Sequence, residues 1–192
     1  NSASLSGGGM LNDASNANLT NITFRANSAG YFGGGMFNSS SDPTLTNVIF
    51  EANMAEREGG GVDNYLSSPT LANVLFHANW AGLQGGGLLN FSDSNPTLTN
   101  VTFHANLAGI GGGIANRLAS NPHLINTILW GNAISGTVQS TAQISNTADS
   151  TPVISYSQIE GSGGSGVSWQ ADLGSDGGNN LATDPLFVQN GS

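Results

Sequence analysis

The chain of 192 residues contains no cysteine and no lysine, and its basic side chains are three arginines and three histidines. The absence of cysteine excludes disulfides and thiolate metal sites. The net charge of −9 argues against a nucleic-acid partner, because proteins bind nucleic acid by neutralising phosphates with lysine and arginine. No apolar run approaches the ~18 residues of a membrane span, so we expect no membrane insertion in this fragment.

What the chain does contain is a repeated phrase of three glycines, an aliphatic residue, any residue and an asparagine. The five copies begin at Gly7, Gly33, Gly59, Gly85 and Gly111, which is a constant 26-residue repeat. A fixed period between 20 and 50 residues is the signature of a repeat architecture. The sequence is therefore more informative about shape than about activity.

Each repeat carries three apolar blocks, and within each block apolar and polar residues alternate. The aliphatic residue after the glycines forms the first block, the leucine of a Pro-Thr-Leu-Thr-Asn phrase the second, and a Val-x-Phe pair the third. A period of two is strand periodicity, and we find no sustained helical period. The pattern predicts an all-β, right-handed parallel β-helix of about six to seven coils, three strands per coil.

The regular repeat degrades after Asn132, although a sixth copy is still legible at a longer interval. In that copy Ile144 follows Ile114, and Ile154 follows Leu124 at the same distance along the chain. We assign residues 1–160 to the coils. Residues 161–192 are assigned to a Gly/Ser/Asp-rich loop and an apolar strand, Leu181–Val188, that caps the same domain. The chain begins within a repeat, so we expect it to be a piece of a longer exported protein.

Asparagines recur in three columns, and we expect all three to point inward as hydrogen-bonded ladders at the bends. The columns are Asn12/38/64/90/116, Asn21/47/73/100/126 and Asn27/53/79/106/132. Asn21 and Asn100 also match the glycosylation motif Asn-x-Thr. An inward side chain would not be accessible to a glycosyltransferase, so the structural interpretation is preferred.

Two sets of residues resemble known bacterial repeat proteins. The glycine triplets together with Phe-x-x-Asn, as in Phe50–Asn53, resemble polymorphic-outer-membrane-protein-like adhesins. The segments Asn126–Asn132, Ile154–Gly161 and Asn180–Val188 resemble β-helix proteins of the choice-of-anchor Q type. The resemblance covers nearly the whole chain. It implies a right-handed β-helix on a secreted or surface-associated protein, and it transfers no catalytic motif.

An enzymatic alternative depends on charged residues around the second and third coils. These are Glu51, Glu56, Arg57, Glu58 and Asp63. Two carboxyl groups about 5–10 Å apart can act as acid and base in glycoside hydrolysis, and Arg57 is the one residue suited to neutralising a uronate in a lyase. Since Glu56–Glu58 also fits a solvated turn, we expect no catalytic residues, with a polysaccharide lyase or glycoside hydrolase as the alternative.

Metal binding has two weak candidates in the sequence, and we expect no cofactor, with calcium as a possibility. Asp172 and Asp176 lie in a loop with some likeness to a calcium loop, but the alternating ligands of a true one are missing. His77 and His104 should stack on adjacent coils, without an obvious third ligand for a metal.

The remaining signal is a set of outward side chains on several columns, which suggests a partner surface. The candidates for this surface are Phe37, Glu51, Met54, His77, Trp80, Leu89, His104 and Trp130. We therefore expect a non-catalytic, adhesin-like or stalk module, secreted or at the cell surface, that binds a cell-surface glycan or protein. Self-association into a filament is a further alternative, because open coil ends invite stacking.

Overall fold

The computed structural model describes residues 1–134, 140–147 and 149–187, and shows an all-β parallel β-helix of about six coils. Each strand pairs in parallel with its equivalent one repeat away, which confirms the predicted winding. Within the described residues the helices are one short α-helix, Ser140–Gln143, and one 3-10 turn, Ala171–Leu173. Helix is therefore as scarce as the periodicity predicts.

The coils form four sheets. The leucine, phenylalanine and alanine sheets are named after the residue type that points inward, and the triplet sheet is named after the glycine triplet that precedes its strands. The strands of the triplet sheet are Met10–Asp13, Met36–Ser39, Val62–Tyr65, Leu88–Phe91, Ile114–Arg117 and Ile144–Asn146. Those of the leucine sheet are Asn18–Thr20, Thr44–Thr46, Thr70–Ala72, Thr97–Thr99, His123–Ile125, Val153–Ser155 and Ser175–Asp176. Those of the phenylalanine sheet are Thr23–Arg25, Ile49–Glu51, Leu75–His77, Thr102–His104, Ile128–Trp130 and Gln158–Ile159.

The alanine sheet is the one that the apolar blocks do not predict. Its strands are Ser2–Ala3, Ser28–Ala29, Met54–Ala55, Trp80–Ala81, Leu107–Ala108 and Ala133–Ile134. Two residues per strand are too short to produce an alternating pattern. The prediction of three strands per coil is therefore wrong by one strand.

Like side chains stack on like along the interior. Phe50 and Phe76 are fully buried, and their rings lie 5.0 Å apart between centroids and nearly parallel. Phe24 and Phe103 continue the stack at 4.9 and 4.5 Å. Burial of one such side chain contributes roughly 1.5–3 kcal/mol, so these columns hold each coil to its neighbours.

Two of the three asparagine ladders are buried, as predicted. In the ladder that follows the phenylalanines, Asn79 donates from Nδ2 to Oδ1 of Asn106 and to the carbonyl of Phe50, both at 2.9 Å. Its Oδ1 accepts from the backbone and side-chain nitrogens of Asn53 at 3.0 and 2.9 Å. The amide of Asn79 is thus fully hydrogen-bonded inside the coil.

The third ladder, which begins at Asn21, lies on the surface, and the expectation that it points inward is wrong. All five of its asparagines are exposed and have φ between 51° and 57°. This left-handed backbone turns the side chain outward at the corner between the leucine and phenylalanine sheets. The amides still bond one another, as from Asn73 Nδ2 to Asn47 Oδ1 at 3.1 Å. Since the side chains of Asn21 and Asn100 are exposed, the argument that they are inaccessible to a glycosyltransferase does not hold.

The glycine triplet makes a tight bend into the triplet sheet. Gly33 has φ 63°, which a side chain opposes. A Cβ on Gly34 would lie 2.4 Å from the carbonyl oxygen of Met54 and 2.5 Å from that of Gly60. The bend therefore admits no side chain at this position.

The C-terminal part follows the longer interval predicted for the sixth copy, with Ile144 beside Ile114 and Ile154 beside Leu124. The cap strand predicted over 181–188 is not confirmed. Leu181 forms a single bridge with Gln158, residues 182–187 contain no strand, and Leu186 is 78% exposed. Val188 lies outside the described residues. Instead, Leu173 from the preceding loop enters the core, 1% exposed.

Candidate functional site

A groove runs along the outer face of the triplet sheet, across the coils, and we call it the triplet groove. Its floor is the column Leu11, Phe37, Asp63, Leu89 and Ala115. One wall is the bridge column Ser6, Phe32, Glu58, Gln84 and Ile110. The other wall is the column Asp13, Ser39, Tyr65, Phe91 and Arg117. Because strand alternation turns these floor residues away from the core, the groove is a surface feature.

Aromatic rings line the middle of the triplet groove. Phe32 on one wall contacts Phe37 on the floor, with ring centroids 5.9 Å apart. Tyr65 and Phe91 stack along the opposite wall at 6.0 Å. With Glu58 and Asp63 these rings enclose a cleft of about 320 Å³. Phe37 also borders a second cleft of about 300 Å³ toward the first coil, so the groove continues in that direction.

Asp63 is the unusual residue of the floor. It is 2% exposed and borders the cleft. No group in the described part of the chain donates a hydrogen bond to its carboxyl, whose oxygens keep a small contact with the cleft, since none of the fully buried side-chain oxygens described lacks a partner. Burial raises the pKa of Asp63 well above its usual range, and the negative charge of Glu58 raises it further. The acid is consequently neutral over a wide range of pH in which an exposed aspartate is charged.

Register explains why Glu58 and Asp63 lie next to each other. Glu58 pairs with Phe32 of the preceding coil, and Asp63 pairs with Phe37. Since those two rings are in contact, the two carboxyl groups one coil later occupy the corresponding adjoining positions. The third coil thus replaces a pair of aromatic rings by a pair of acids.

A hydrogen-bonded chain closes the groove on the side of the fourth and fifth coils. Arg117 donates from Nε to Gln84 Oε1 at 2.7 Å, and Gln84 donates from Nε2 to Glu58 Oε1 at 3.1 Å. These bonds join the two walls over the floor, and Leu89 beneath them is 1% exposed. The prediction of Leu89 as an exposed binding residue is therefore wrong, although its side chain does face away from the core.

Of the five residues named for catalysis, Glu58 and Asp63 border the cleft of the triplet groove, whereas Glu56 and Arg57 border a separate cleft beside Met54. Glu51 lies on the phenylalanine sheet and pairs with Arg25 at 3.2 Å. Glu56 is exposed, and Arg57 lies over the ring of Tyr31 at 5.8 Å. The turn around Glu56 and Arg57 is thus the solvated segment that the simpler interpretation expects.

The other proposed surface residues fall on different faces and form no single surface with Phe37. Met54 and Trp80 lie on the alanine sheet, 42% and 38% exposed. Glu51, His77, His104 and Trp130 form one column on the phenylalanine sheet. His77 and His104 stack at 5.5 Å as predicted, and His104 Nδ1 lies 3.0 Å from the carbonyl oxygen of Trp130.

The two aspartates considered for calcium have separate roles. Asp176 accepts hydrogen bonds from the backbone of Gly166 and Gly178, the Ser165 hydroxyl and the Asn180 amide, at 2.8–2.9 Å. These bonds lower the pKa of Asp176 to about 2. Asp172 borders a different cleft near Ser145 and Thr147. Over the described ranges no three histidine or acidic side chains come together as metal ligands.

Sequence reasoning missed Phe32, Tyr65, Phe91 and the Arg117–Gln84 bridge. The signal was available in part, because these residues occupy fixed offsets from the triplet, one position before it or six positions after its first glycine. Their types vary from coil to coil, however, and a search for recurring residues passes over variable columns.

Comparisons with known protein families, curated proteins and solved structures find no match for the chain. Within the residues that the structure describes, no helix has both the length and the apolar character of a membrane span. What is established is the fold, a parallel β-helix with stacked asparagine ladders.

Proposed function

We propose that the chain is a non-catalytic binding module that holds its partner in the triplet groove. The observation that carries this proposal is Asp63, a carboxyl group that is 2% exposed, opens onto an aromatic cleft and accepts no hydrogen bond from the described part of the chain. Buried polar groups in proteins nearly always have a hydrogen-bonding partner. A ligand in the cleft would supply the missing one, and the surrounding rings offer it apolar contact.

The proposed setting is a secreted or cell-surface protein, with the module acting as an adhesin or stalk. The repeat phrases that resemble adhesin-like and choice-of-anchor Q proteins support this setting. The fold supports it as well, because a solenoid displays long columns of outward residues. Fractionation of the source cells, with detection by an antibody against the chain, tests the location, and recovery inside the cytoplasm alone would contradict it.

Binding can be tested on an array that carries glycans and peptides of varied charge. We expect the wild-type chain to retain one class of ligand, and we expect the double variant Tyr65→Ser/Phe91→Ser to lose at least tenfold in affinity for it. The matched control is Ile49→Ser/Leu75→Ser on the phenylalanine sheet, which removes apolar groups outside the groove and should bind normally. Loss in both variants, or in neither, would contradict a site in the groove.

Glycoside hydrolysis is the second candidate, and the pairing of Glu58 with Asp63 favours it. A carboxyl group whose pKa is raised by burial, next to a second carboxyl group, is a usual arrangement for acid–base catalysis. Incubation with a panel of polysaccharides, followed by reducing-end detection, tests this alternative. Hydrolysis that disappears in Glu58→Gln and persists in Glu56→Gln would establish the enzyme, and absence of hydrolysis across the panel would favour the binding module.

A further inference from the structure

We infer that the triplet groove binds a primary ammonium group on an apolar stem, as presented by a lysine side chain of a protein partner. This inference rests on the proposed function and names the chemical class of its ligand. Three independent features of the groove lead to it: the aromatic walls, the unpaired acid on the floor and the distribution of charge in the chain.

The walls fit a cation on a hydrocarbon stem. The faces of aromatic rings attract ammonium groups, and several rings around one cation form the aromatic cages that bind such ligands. Phe32, Phe37, Tyr65 and Phe91 supply four rings around one cleft. The methylene groups of a lysine side chain pack well on apolar surface while its head stays polar. The stem would therefore contact the rings while the head reaches the acids.

The floor offers acceptors for the ammonium head. Asp63 lies on the floor of the cleft and Glu58 on the adjoining wall, and Asp63 accepts no hydrogen bond from the described part of the chain. An ammonium group has three donors and no acceptor. A neutral glycan has no positive charge to stabilise the ionised form of these carboxyl groups. Apart from the Tyr65 hydroxyl, the cleft presents only the two carboxyl groups as polar side chains.

The chain does not provide this cation itself. It contains no lysine, and its net charge is −9. The guanidinium of Arg117 is bonded to Gln84, and that of Arg57 lies over Tyr31 on the outside of the coil. A negatively charged module with an acidic cleft attracts a basic partner over a distance and binds it faster at low salt.

Ammonium binding in this groove should release a proton. The charged and titratable groups around Asp63 are Glu58 and the Tyr65 phenol in its own coil and, through Gln84, Arg117 two coils away. Its neighbours in the floor column, Phe37 and Leu89, carry no charge. An ammonium group beside Asp63 favours the ionised carboxylate. Affinity for the ammonium group should therefore increase with pH until Asp63 also loses its proton in the free protein.

The experiment is an NMR titration of the full chain with two capped amino acids. N-acetyl-lysine methylamide is the probe, and N-acetyl-norleucine methylamide is its control, with the same stem and no ammonium group. We expect the lysine probe to shift amide signals along the groove and to bind at least tenfold more tightly than the norleucine control, since only the lysine probe can make a cation–π contact with the rings. We also expect its affinity to be higher at pH 7 than at pH 5, because a bound ammonium group favours the ionised form of a carboxyl group whose pKa is raised in the free chain.

Two conservative variants complete the test. Asp63→Asn keeps the size of the side chain and removes the charge, and we expect it to lose the preference for lysine and the pH dependence. Asp93→Asn removes one charge from an exposed turn outside the groove and should behave as wild type. Glu58→Gln provides a second measurement at the other carboxylate and should also weaken lysine binding.

Equal affinity for norleucine, or unchanged lysine binding by Asp63→Asn, would overturn the inference. If a glycan or an uncharged peptide binds in a manner that depends on Tyr65 and Phe91, this inference fails while the proposed function stands. If no ligand on the array depends on the groove, both fail.

Discussion

At the scale of single residues, the groove is unusual because a carboxyl group occupies a position that a ring or an aliphatic side chain fills in the other four of the first five coils. The floor column holds Leu11, Phe37, Leu89 and Ala115 at the positions equivalent to Asp63. An acid in that position lowers stability whenever it ionises, because its charge is removed from water without a partner. Such a residue is explained more readily by a ligand than by folding.

Asp63→Asn should therefore stabilise the free protein at neutral pH. The folded-state pKa of Asp63 is raised, so the folded chain holds this proton more tightly than the unfolded chain does. Stability then falls as pH increases from about 4 through the folded-state pKa. We expect the variant to melt about 3 °C higher at pH 7, because a gain of about 1 kcal/mol in the free energy of unfolding raises the melting temperature by that amount in a chain of this size. Differential scanning calorimetry at pH 4 and pH 7 checks this. A gain that is equal at both pH values would contradict the ionisation argument.

Asn79→Ala should destabilise the coil strongly. The change leaves the buried carbonyl of Phe50 and the backbone nitrogen of Asn53 without their partner, and each unsatisfied group costs about 1–3 kcal/mol. We expect a loss of about 3 kcal/mol in urea denaturation. Asn73→Gly is the control, because glycine accepts the left-handed backbone at this exposed ladder position. A similar loss in both variants would show that burial of the ladder is unimportant.

Individual residues also show which parts of the structure could be predicted from the sequence and which could not. The interior columns were predictable because a buried position accepts few residue types, so that Phe50, Phe76 and Asn79 recur visibly. The exposed ladder was not, because Asn47 and Asn53 look alike in the sequence and differ only in the backbone angle that directs them. The burial of Leu89 and Asp63 depends on side chains from other coils, such as Arg117, which no local pattern connects to them.

At the scale of elements, the glycine bend sets the position of the groove. It turns the chain from the short alanine sheet into the triplet sheet, and it places the wall residue before the triplet next to the floor residue after it. Phe32 and Phe37 are one such pair, and Glu58 and Asp63 are the next. The groove is thus a direct consequence of the bend that the repeated glycines allow.

Gly60→Ala should disrupt this bend. A Cβ at this position would lie 2.4 Å from the carbonyl oxygen of Trp80 and 2.5 Å from that of Gly86, and neither backbone atom can move without displacing a coil. We expect a loss of about 3 kcal/mol, at the upper end of the usual penalty for overpacking. Urea denaturation monitored by circular dichroism measures it. An unchanged midpoint would mean that adjacent coils slide more easily than the packing indicates.

The loop that contains Asp176 should open in acid. Since the pKa of Asp176 is lowered to about 2, its contribution to loop stability is complete above pH 4 and is lost as pH falls toward 2. The indole of Trp169 donates to the carbonyl of Gly174 in the same loop, at 2.8 Å. We expect its NMR signal to shift between pH 4 and pH 2, and Asp176→Asn to show part of that shift at pH 7. A signal that stays constant in both cases would contradict this role.

At the scale of the whole molecule, stability is distributed through neighbouring coils. Each coil contacts the coil before it and the coil after it, so a terminal coil lacks one set of contacts. In agreement, Leu19 in the first coil is only partly buried, whereas Leu71 in the third is 1% exposed. Overall winding was predictable from the repeat period, because a constant period forces equivalent residues into register.

Hydrogen exchange should accordingly be slowest in the central coils. We expect the amides of Val62–Tyr65 and Leu88–Phe91 to exchange at least tenfold more slowly than those of Met10–Asp13, because a terminal coil opens without disturbing the rest. Exchange measured by mass spectrometry on peptic fragments tests this gradient. A uniform rate along the solenoid would indicate a single cooperative unit instead.

The strict register of the triplet sheet has a consequence for how such a chain can diversify. Every coil contributes about 4.8 Å of groove, with one floor residue and two wall residues. The length and the lining of the groove therefore change by one coil at a time. Inserting one complete repeat after Asn64 would move Leu89 and the Arg117 bridge one coil away from Asp63 while leaving the interior columns continuous. Recognition surfaces of this kind can be lengthened, shortened or reordered one coil at a time, without redesign of the interior.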